Sequence, residues 1–315
     1  MPRVHRRPLV ALGVVAGLLS LAACSASPDP VARGISSSGA AASPSSPMAA
    51  TSGAVPATTP ATPAPSAPAA SATQPRGIPS SVGSQAQLDD DLRAAAWAND
   101  VPRARALIAQ GANVNAKDAT VQSAYLIATS EGYLELLDLT LAHGATVDDK
   151  DSWNGTGLIR AAERGHHLVV GRLLQAGIDR DHVNRIGYQA IHEAVTFGRD
   201  TPTYHATVRV LAAGGVELTR PSGQQGLTPR QMAVQRELRT ALATLDRVVA
   251  APRPTDPTAG LLAAAGSGDA DGVAIALRAG APVDARDGSG QSARQLAAAG
   301  GHAAAEQVLI ALGAR

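Results

Sequence analysis

A glycine that closes an apolar segment recurs at a regular interval through most of the chain. Successive copies lie 33, 33, 37, 66 and 33 residues apart, at Gly111, Gly144, Gly177, Gly214, Gly280 and Gly313. The interval of 66 is two periods and that of 37 is one period with four extra residues, so the register persists from about residue 88 to residue 315. Self-similarity with a period of about 20–50 residues is typical of proteins that stack one small structural unit on the next.

Each period predicts a short helix, a tight turn and a longer helix. In one unit the segment 161–166 ends the first helix, and apolar residues at helical spacing from Leu168 to Leu174 form the stripe of the second. Gly177 then ends that helix, because glycine adopts a left-handed conformation at little cost. Hydrophobic residues make up 45% of the chain but aromatic residues only 2%. The core is therefore expected to be built from Ala, Leu and Val in closely approaching helices.

Four segments carry parts of a second, more specific pattern. They are GTGLIRAAERGHHLVV from Gly155, GYQAIHEAV from Gly187, GLTPRQMAV from Gly226 and GQSARQLAAAGGHAAAEQVLIALGAR from Gly290. Together they resemble the ankyrin repeat. The resemblance implies an all-α solenoid of about six or seven helix-turn-helix units with projecting β-turn fingers. We place the units at about residues 87–118, 119–151, 152–184, 185–221, 222–252, 256–288 and 289–315.

Three units depart from the pattern. The fifth lacks a glycine in its turn and is followed by the proline-containing segment 252–257, which predicts that the stack bends or pauses there. In the fourth unit, residues 199–205 are an insertion that we expect to form a loop. The first unit has Asn99-Asp100 where Gly-His is expected, as in a capping repeat, and Trp97 is predicted to be its buried anchor.

The N-terminal segment predicts export. Arg3, Arg6 and Arg7 precede an apolar run over residues 9–23, which is the pattern of a signal peptide. The run is shorter than the roughly 20 residues of a membrane-spanning helix, which makes a permanent span the weaker alternative. The adjacent arginines leave the general and the twin-arginine export routes both open.

The signal peptide, assigned to residues 1–23, ends in Leu-Ala-Ala-Cys, which resembles the lipobox of bacterial lipoproteins. The resemblance implies that Cys24, the only cysteine of the chain, is lipidated and anchors an outward-facing protein in the cell membrane. A stray cysteine in a cleavable leader is the alternative. Residues 24–86 are rich in Ala, Ser, Thr and Pro, which predicts a disordered linker that joins the anchor to a repeat domain at 87–315.

The charge and the polar residues do not indicate nucleic-acid binding or catalysis. Without the three arginines of the leader the chain has 24 Lys and Arg against 26 Asp and Glu, a net charge of about −2. By the resemblance, His166, His192 and His302 have structural positions in the repeat. A metal site formed by His167 and His205, or a calcium site in the acidic segment 148–151, is a weaker alternative. We therefore predict no catalytic residue, no metal and no cofactor.

By the resemblance, residues that contact a partner are expected at the finger tips and on the concave helix face, which ankyrin proteins commonly use for recognition. Trp153 is the main candidate, since an exposed tryptophan beside charges contributes strongly to binding when it is desolvated; packing of Trp153 against the next finger is the alternative. The other candidates are polar or aromatic residues of the fingers and of the insertion: Asp149, Asp151, Arg180, His182, Arg185, Arg220 and Tyr204.

These features favour a tethered scaffold that recruits, shields or inhibits an exported partner protein. The partner's identity does not follow from the sequence. A wall-associated spacer that binds peptidoglycan is the alternative, supported by the long linker. An enzyme is a distant third possibility, because stacked repeats rarely form a closed pocket.

Overall fold

The computed structural model describes residues 84–223 and 225–315. The predicted leader, the proposed lipidation site Cys24 and nearly all of the predicted linker lie outside the described residues. None of the helices that the structure describes has the length and apolar character needed to cross a membrane.

The described residues form seven consecutive helix pairs, which confirms the all-α repeat fold. The helices are α1 (Gln85–Trp97), α2 (Val101–Ala109), α3 (Ala124–Glu131), α4 (Leu134–Ala142), α5 (Gly157–Glu163), α6 (His167–Gln175), α7 (Ala190–Thr196), α8 (Pro202–Ala213), α9 (Pro229–Gln235), α10 (Arg239–Ala250), α11 (Pro257–Ser267), α12 (Ala270–Arg278), α13 (Ala293–Ala299) and α14 (Ala303–Ala311).

Most pairs are joined by one residue in the left-handed conformation. Gly132 and Gly165 have φ of 78° and 76° in two of these turns, and Asn99 takes the same role in the first unit with φ of 52°. The fifth unit, which lacks the glycine, uses Glu237 with φ of 55°. A residue other than glycine tolerates this conformation at a cost of roughly 1–2 kcal/mol, so the missing glycine does not abolish the turn.

The first five units form one row. The first helices of neighbouring units pack together from α1 to α9, and so do the second helices from α2 to α10. Side chains at a fixed position link successive fingers. Asn115 Oδ1 accepts from the Thr146 amide at 2.8 Å, and Asp148 Oδ1 accepts from the Asp179 amide at 2.8 Å. These bonds hold each finger to the next one.

The last two units leave this row and fold back onto it. The helix α12 packs against α8 as well as α10, and α14 packs against α6 and α8. Arg278 donates from one nitrogen to the carbonyls of Ala212 and Val216, both at 2.9 Å. Arg209 and Asp271 form an ion pair at 2.7 Å, with side chains only 14% and 15% exposed. The bend predicted at residues 252–257 is therefore a reversal that covers the second helices of units three and four.

Two expectations about individual residues are wrong. Trp97 is 49% exposed and is not the anchor of the first unit. The buried stripe of α1 includes Leu88, Leu92 and Ala96, and each further residue rotates by about 100°, which takes Trp97 off this face. The insertion is mostly helical, because α8 begins at Pro202 and contains Tyr204 and His205 in its first turn.

Candidate partner-binding groove

A groove opens where the fingers of units three and four meet the helices α5 and α7. Its lining includes Trp153 and Asp151 from one finger, Asn184 from the next, Arg160 from α5 and Glu193 from α7. Its volume is about 280 Å³, at the lower limit of small-molecule pockets, which are commonly about 300–1,000 Å³. The size suits one or two side chains of a larger ligand.

Two exposed aromatic residues border the groove. Trp153 is 58% exposed and Phe197 is 51% exposed. The Trp153 main chain is fixed, because its amide donates to Asp151 Oδ1 at 2.8 Å and its carbonyl accepts from the Arg185 amide at 2.9 Å. The tryptophan is thus presented to solvent from a rigid turn, which preorganises it for contact with a partner.

A buried carboxylate lies in the same groove. Glu193 is 4% exposed, and its Oε1 accepts from Asn184 Nδ2 at 2.7 Å, while its Oε2 has no hydrogen-bond partner. Burial raises the pKa of Glu193 to about 7, and the negative charges of Glu163 and Asp151 add to the shift. The Asn184 hydrogen bond and the Arg160 charge act in the opposite direction.

The remaining charges of the groove are unbalanced. Arg160 Nη1 donates to Glu163 Oε2 at 2.6 Å, and Arg160 Nε lies 3.4 Å from Asp151 Oδ2. One arginine therefore stands among three carboxyl groups, and it is engaged by Asp151 and Glu163. Glu193 has no cation of its own in contact.

The structure brings only Trp153 and Asp151, of the predicted contact residues, into this groove. Asp151 is 8% exposed and shapes the turn through the amides of Trp153 and Gly155, both at 2.8 Å. Arg185 is exposed on the neighbouring finger, outside the residues that line the groove.

Three other candidates contact a neighbouring finger or helix. Asp149 accepts from Lys117 Nζ at 2.5 Å, and His182 Nε2 lies 2.8 Å from the Asn154 carbonyl. The Tyr204 hydroxyl donates to the Glu163 carbonyl at 2.9 Å. These contacts give the three side chains a role in joining successive fingers and helices.

Arg180 and Arg220 lie exposed on fingers outside the groove. Arg180 also donates to the Gly214 carbonyl at 3.3 Å. Both remain candidates for a wider contact surface.

The histidines of the repeat pattern contact backbone atoms. His192 Nε2 lies 2.9 Å from the Arg220 carbonyl, and His166 Nε2 lies 3.1 Å from the Ser130 carbonyl. Burial lowers the pKa of both rings. His205 pairs with Asp200 at 2.6 Å. Among the described residues no group of three or more metal-ligating side chains is present.

Phe197 and Glu193 were missed by the sequence reasoning. They lie four residues apart, which places them on one face of the first helix of unit four, with Glu193 in its first turn and Phe197 as its C-cap residue. An acidic residue and the only phenylalanine of the chain at that spacing were an available signal. The predicted contact residues lie on the fingers and in the insertion, so no residue of the first helices is among them.

The seven helix pairs and their linked fingers define a helical repeat protein that presents a groove to other molecules. Residues 125–222 match the family model for ankyrin repeats in three copies. Ankyrin repeats are protein-interaction modules that typically have no catalytic activity, which favours a protein-binding scaffold.

Several known proteins are similar to this chain. A putative ankyrin repeat protein YahD of Escherichia coli is 29% identical over 133 residues, which cover 42% of this chain and 66% of that protein. A transient receptor potential cation channel subfamily A member 1 homolog of Caenorhabditis elegans is 29% identical over 191 residues, covering 60% of this chain and 15% of the channel. A crystal structure of an ankyrin repeat domain from Acinetobacter baumannii AYE is 40% identical, covers 49% of this chain and 78% of that one, and has a TM-score of 0.47.

Proposed function

We propose that this chain is an exported, membrane-tethered scaffold that recruits, shields or inhibits an exported partner protein. The apolar leader, the single Cys24 in its lipobox-like context and the Ala/Ser/Thr/Pro-rich segment that follows support export and tethering. The rigidly presented Trp153 beside Phe197 in the groove carries the binding part of the proposal. Large aromatic side chains that become desolvated on binding dominate many protein interfaces.

Tethering is tested with Cys24→Ala. The wild-type protein is expected to be found in the membrane fraction of the cells and to incorporate a labelled fatty acid. The variant is expected to lose the label and to appear in soluble fractions. Equal membrane association of both proteins would contradict anchoring through Cys24.

Partner binding is tested by crosslinking on intact cells, followed by purification of the full chain. Trp153→Ala is the test variant. Trp97→Ala is its matched control, because Trp97 is also about half exposed, at 49%, but lies in the first unit. One exported protein is expected to be captured by the wild type and by the Trp97 variant and lost with Trp153→Ala. Crosslinks confined to wall fragments would favour the peptidoglycan-binding spacer.

A further inference from the structure

The groove combines an exposed aromatic surface with a buried carboxylate. Trp153 and Phe197 offer aromatic rings that are more than half exposed, at 58% and 51%. Glu193 lies in the same groove at 4% exposure, with Oε2 unpaired. A buried acceptor without a donor destabilises the free protein, so a ligand that supplies the donor removes this cost.

The charge balance selects a cation as the ligand. Asp151, Glu163 and Glu193 face a single resident cation, Arg160, which is already engaged by the first two. None of the residues of α8 or α9, the other helices packed against α7, is among those that line the groove. An incoming positive charge would therefore meet an acidic floor with no competing lysine or arginine beyond Arg160.

The aromatic rim selects the guanidinium group among cations. A guanidinium is planar and weakly hydrated, stacks on aromatic faces and offers several N–H donors in a fixed fork. A lysine ammonium is strongly hydrated and lacks the planar face. The groove also has room for a side chain but not for a folded element, with a volume of about 280 Å³.

We propose that the groove binds an arginine side chain of the partner protein, with the guanidinium stacked between Trp153 and Phe197 and hydrogen-bonded to Glu193. This inference rests on the proposed scaffold function and names the chemistry that the partner must present. Glu193 acts as the charged acceptor, and Asn184 holds its other oxygen in place. Because Glu193 takes up a proton near neutral pH, arginine binding releases that proton.

The site is tested with small probes, so that its failure is separable from failure of the scaffold function. The full chain, purified in detergent, carries 5-fluorotryptophan at its two tryptophans, Trp97 and Trp153. N-acetyl-arginine amide is titrated while fluorine NMR follows both signals, which are assigned with Trp97→Phe. The Trp153 signal is expected to shift along a saturable curve while the Trp97 signal stays in place.

Three comparisons establish what is recognised. The neutral isostere N-acetyl-citrulline amide is expected to bind at least about tenfold more weakly, because it removes one member of a buried charge pair. Glu193→Gln is expected to weaken arginine binding by a similar factor. Phe197→Leu removes the aromatic ring but keeps an apolar side chain, and it is also expected to weaken arginine binding. Glu135→Gln, an exposed carboxylate on α4, is the matched control and is expected to change nothing.

The affinity is also expected to increase about tenfold between pH 6 and pH 8, as Glu193 loses its proton around the midpoint near 7. Equal binding of the arginine and citrulline probes, equal shifts of both tryptophan signals, or unchanged binding by Glu193→Gln would overturn the proposal.

If cells yield a partner that needs Trp153 while the arginine probe gives no response, the scaffold function stands and the arginine site fails. If the probe binds and no partner is captured, the site stands and the scaffold function fails.

Discussion

Glu193 carries an energetic cost in the free protein. Its carboxyl group is buried, has one hydrogen bond to Asn184, and lies close enough to Glu163 and Asp151 for their charges to oppose its ionisation. The folded chain therefore holds a proton at Glu193 that the unfolded chain releases at lower pH. Residues with strongly perturbed pKa values are often found at functional sites.

The stability of the protein is expected to depend on pH through this residue. The pKa of Glu193 rises from 4.5 to about 7 on folding, so the folded state binds more protons between these values. The stabilising contribution of the protonated group is complete below about pH 4.5 and is lost as the pH rises through 7, by roughly 3 kcal/mol in total. Glu193→Gln, which mimics the neutral acid, is expected to remove this part of the pH dependence in urea unfolding between pH 5 and pH 8.

The pH profile of Glu193→Gln is compared with that of the wild type, because other groups titrate in the same pH range. The pKa values of His166, His167 and His192 are lowered by burial, so these residues add stability as the pH rises toward 6.5. Subtracting the profile of Glu193→Gln from that of the wild type cancels their contribution. A Glu193→Gln profile parallel to that of the wild type would contradict the assignment.

At the residue scale the sequence predicted the candidate site in part. Trp153 could be identified because a tryptophan beside four charged residues in a turn is expected to be exposed and not buried within its own unit. Trp97 has the same side chain, but its predicted burial was wrong because burial depends on the rotation of α1 and not on residue type. Glu193 is acidic and sits in a helix, and only the packed structure shows that its Oε2 lacks a partner.

At the element scale, the approach of two helices depends on one glycine. Gly171 lies in the middle of α6 and is buried, and a Cβ atom added there would lie 2.0 Å from the Ala311 carbonyl oxygen on α14. Gln175 Nε2 donates to the same carbonyl at 2.8 Å. The backbones of α6 and α14 can come this close only because residue 171 has no side chain.

Gly171→Ala is therefore expected to destabilise the protein by roughly 1–3 kcal/mol through overpacking. Helix propensity alone predicts the opposite sign, a gain of up to about 1 kcal/mol. Gly266→Ala in α11 is the matched control, because a Cβ atom at that position meets nothing within 4 Å, and it is expected to be neutral or stabilising. The measurement is the free energy of unfolding in urea; equal gains from both variants would show that α14 does not dock on α6.

The period of the sequence predicted the helix pairs and their turns well, because a fixed register of apolar residues and glycines is a local property. It did not predict which helices of distant units pack together. The apolar and small residues of α12 and α14 could pack equally well against a neighbouring helix in the row or against a helix of units three and four. A glycine in the interior of a helix, such as Gly171, is costly there and can mark a close approach. Gly266 shares this feature in α11 and has no close neighbour, so the signal alone does not identify the contact.

At the scale of the whole molecule, the reversal changes how the repeats cooperate. In a simple solenoid each unit contacts only its neighbours, and its stability is the sum of local and nearest-neighbour contributions. Here α14 contacts α6 and α12 contacts α8, so units six and seven support units three and four across the fold. The Arg209–Asp271 ion pair and the Arg278 hydrogen bonds to Ala212 and Val216 connect the same elements.

Deletion of residues 252–315 is expected to reveal this coupling in amide hydrogen exchange. Protection should fall in α6 and α8, because their outer surfaces lose packing, while α1 and α3 keep theirs. Deletion of residues 84–118, which removes the first pair at the other end, is the control and should reduce protection mainly in α3 and α4. A C-terminal deletion that affects only α9 and α10 would mean that the stack behaves as a simple row. If α6 and α8 respond, the last two units stabilise the helix pairs of units three and four, between which the groove lies. Partner binding is then expected to depend on the integrity of the whole domain.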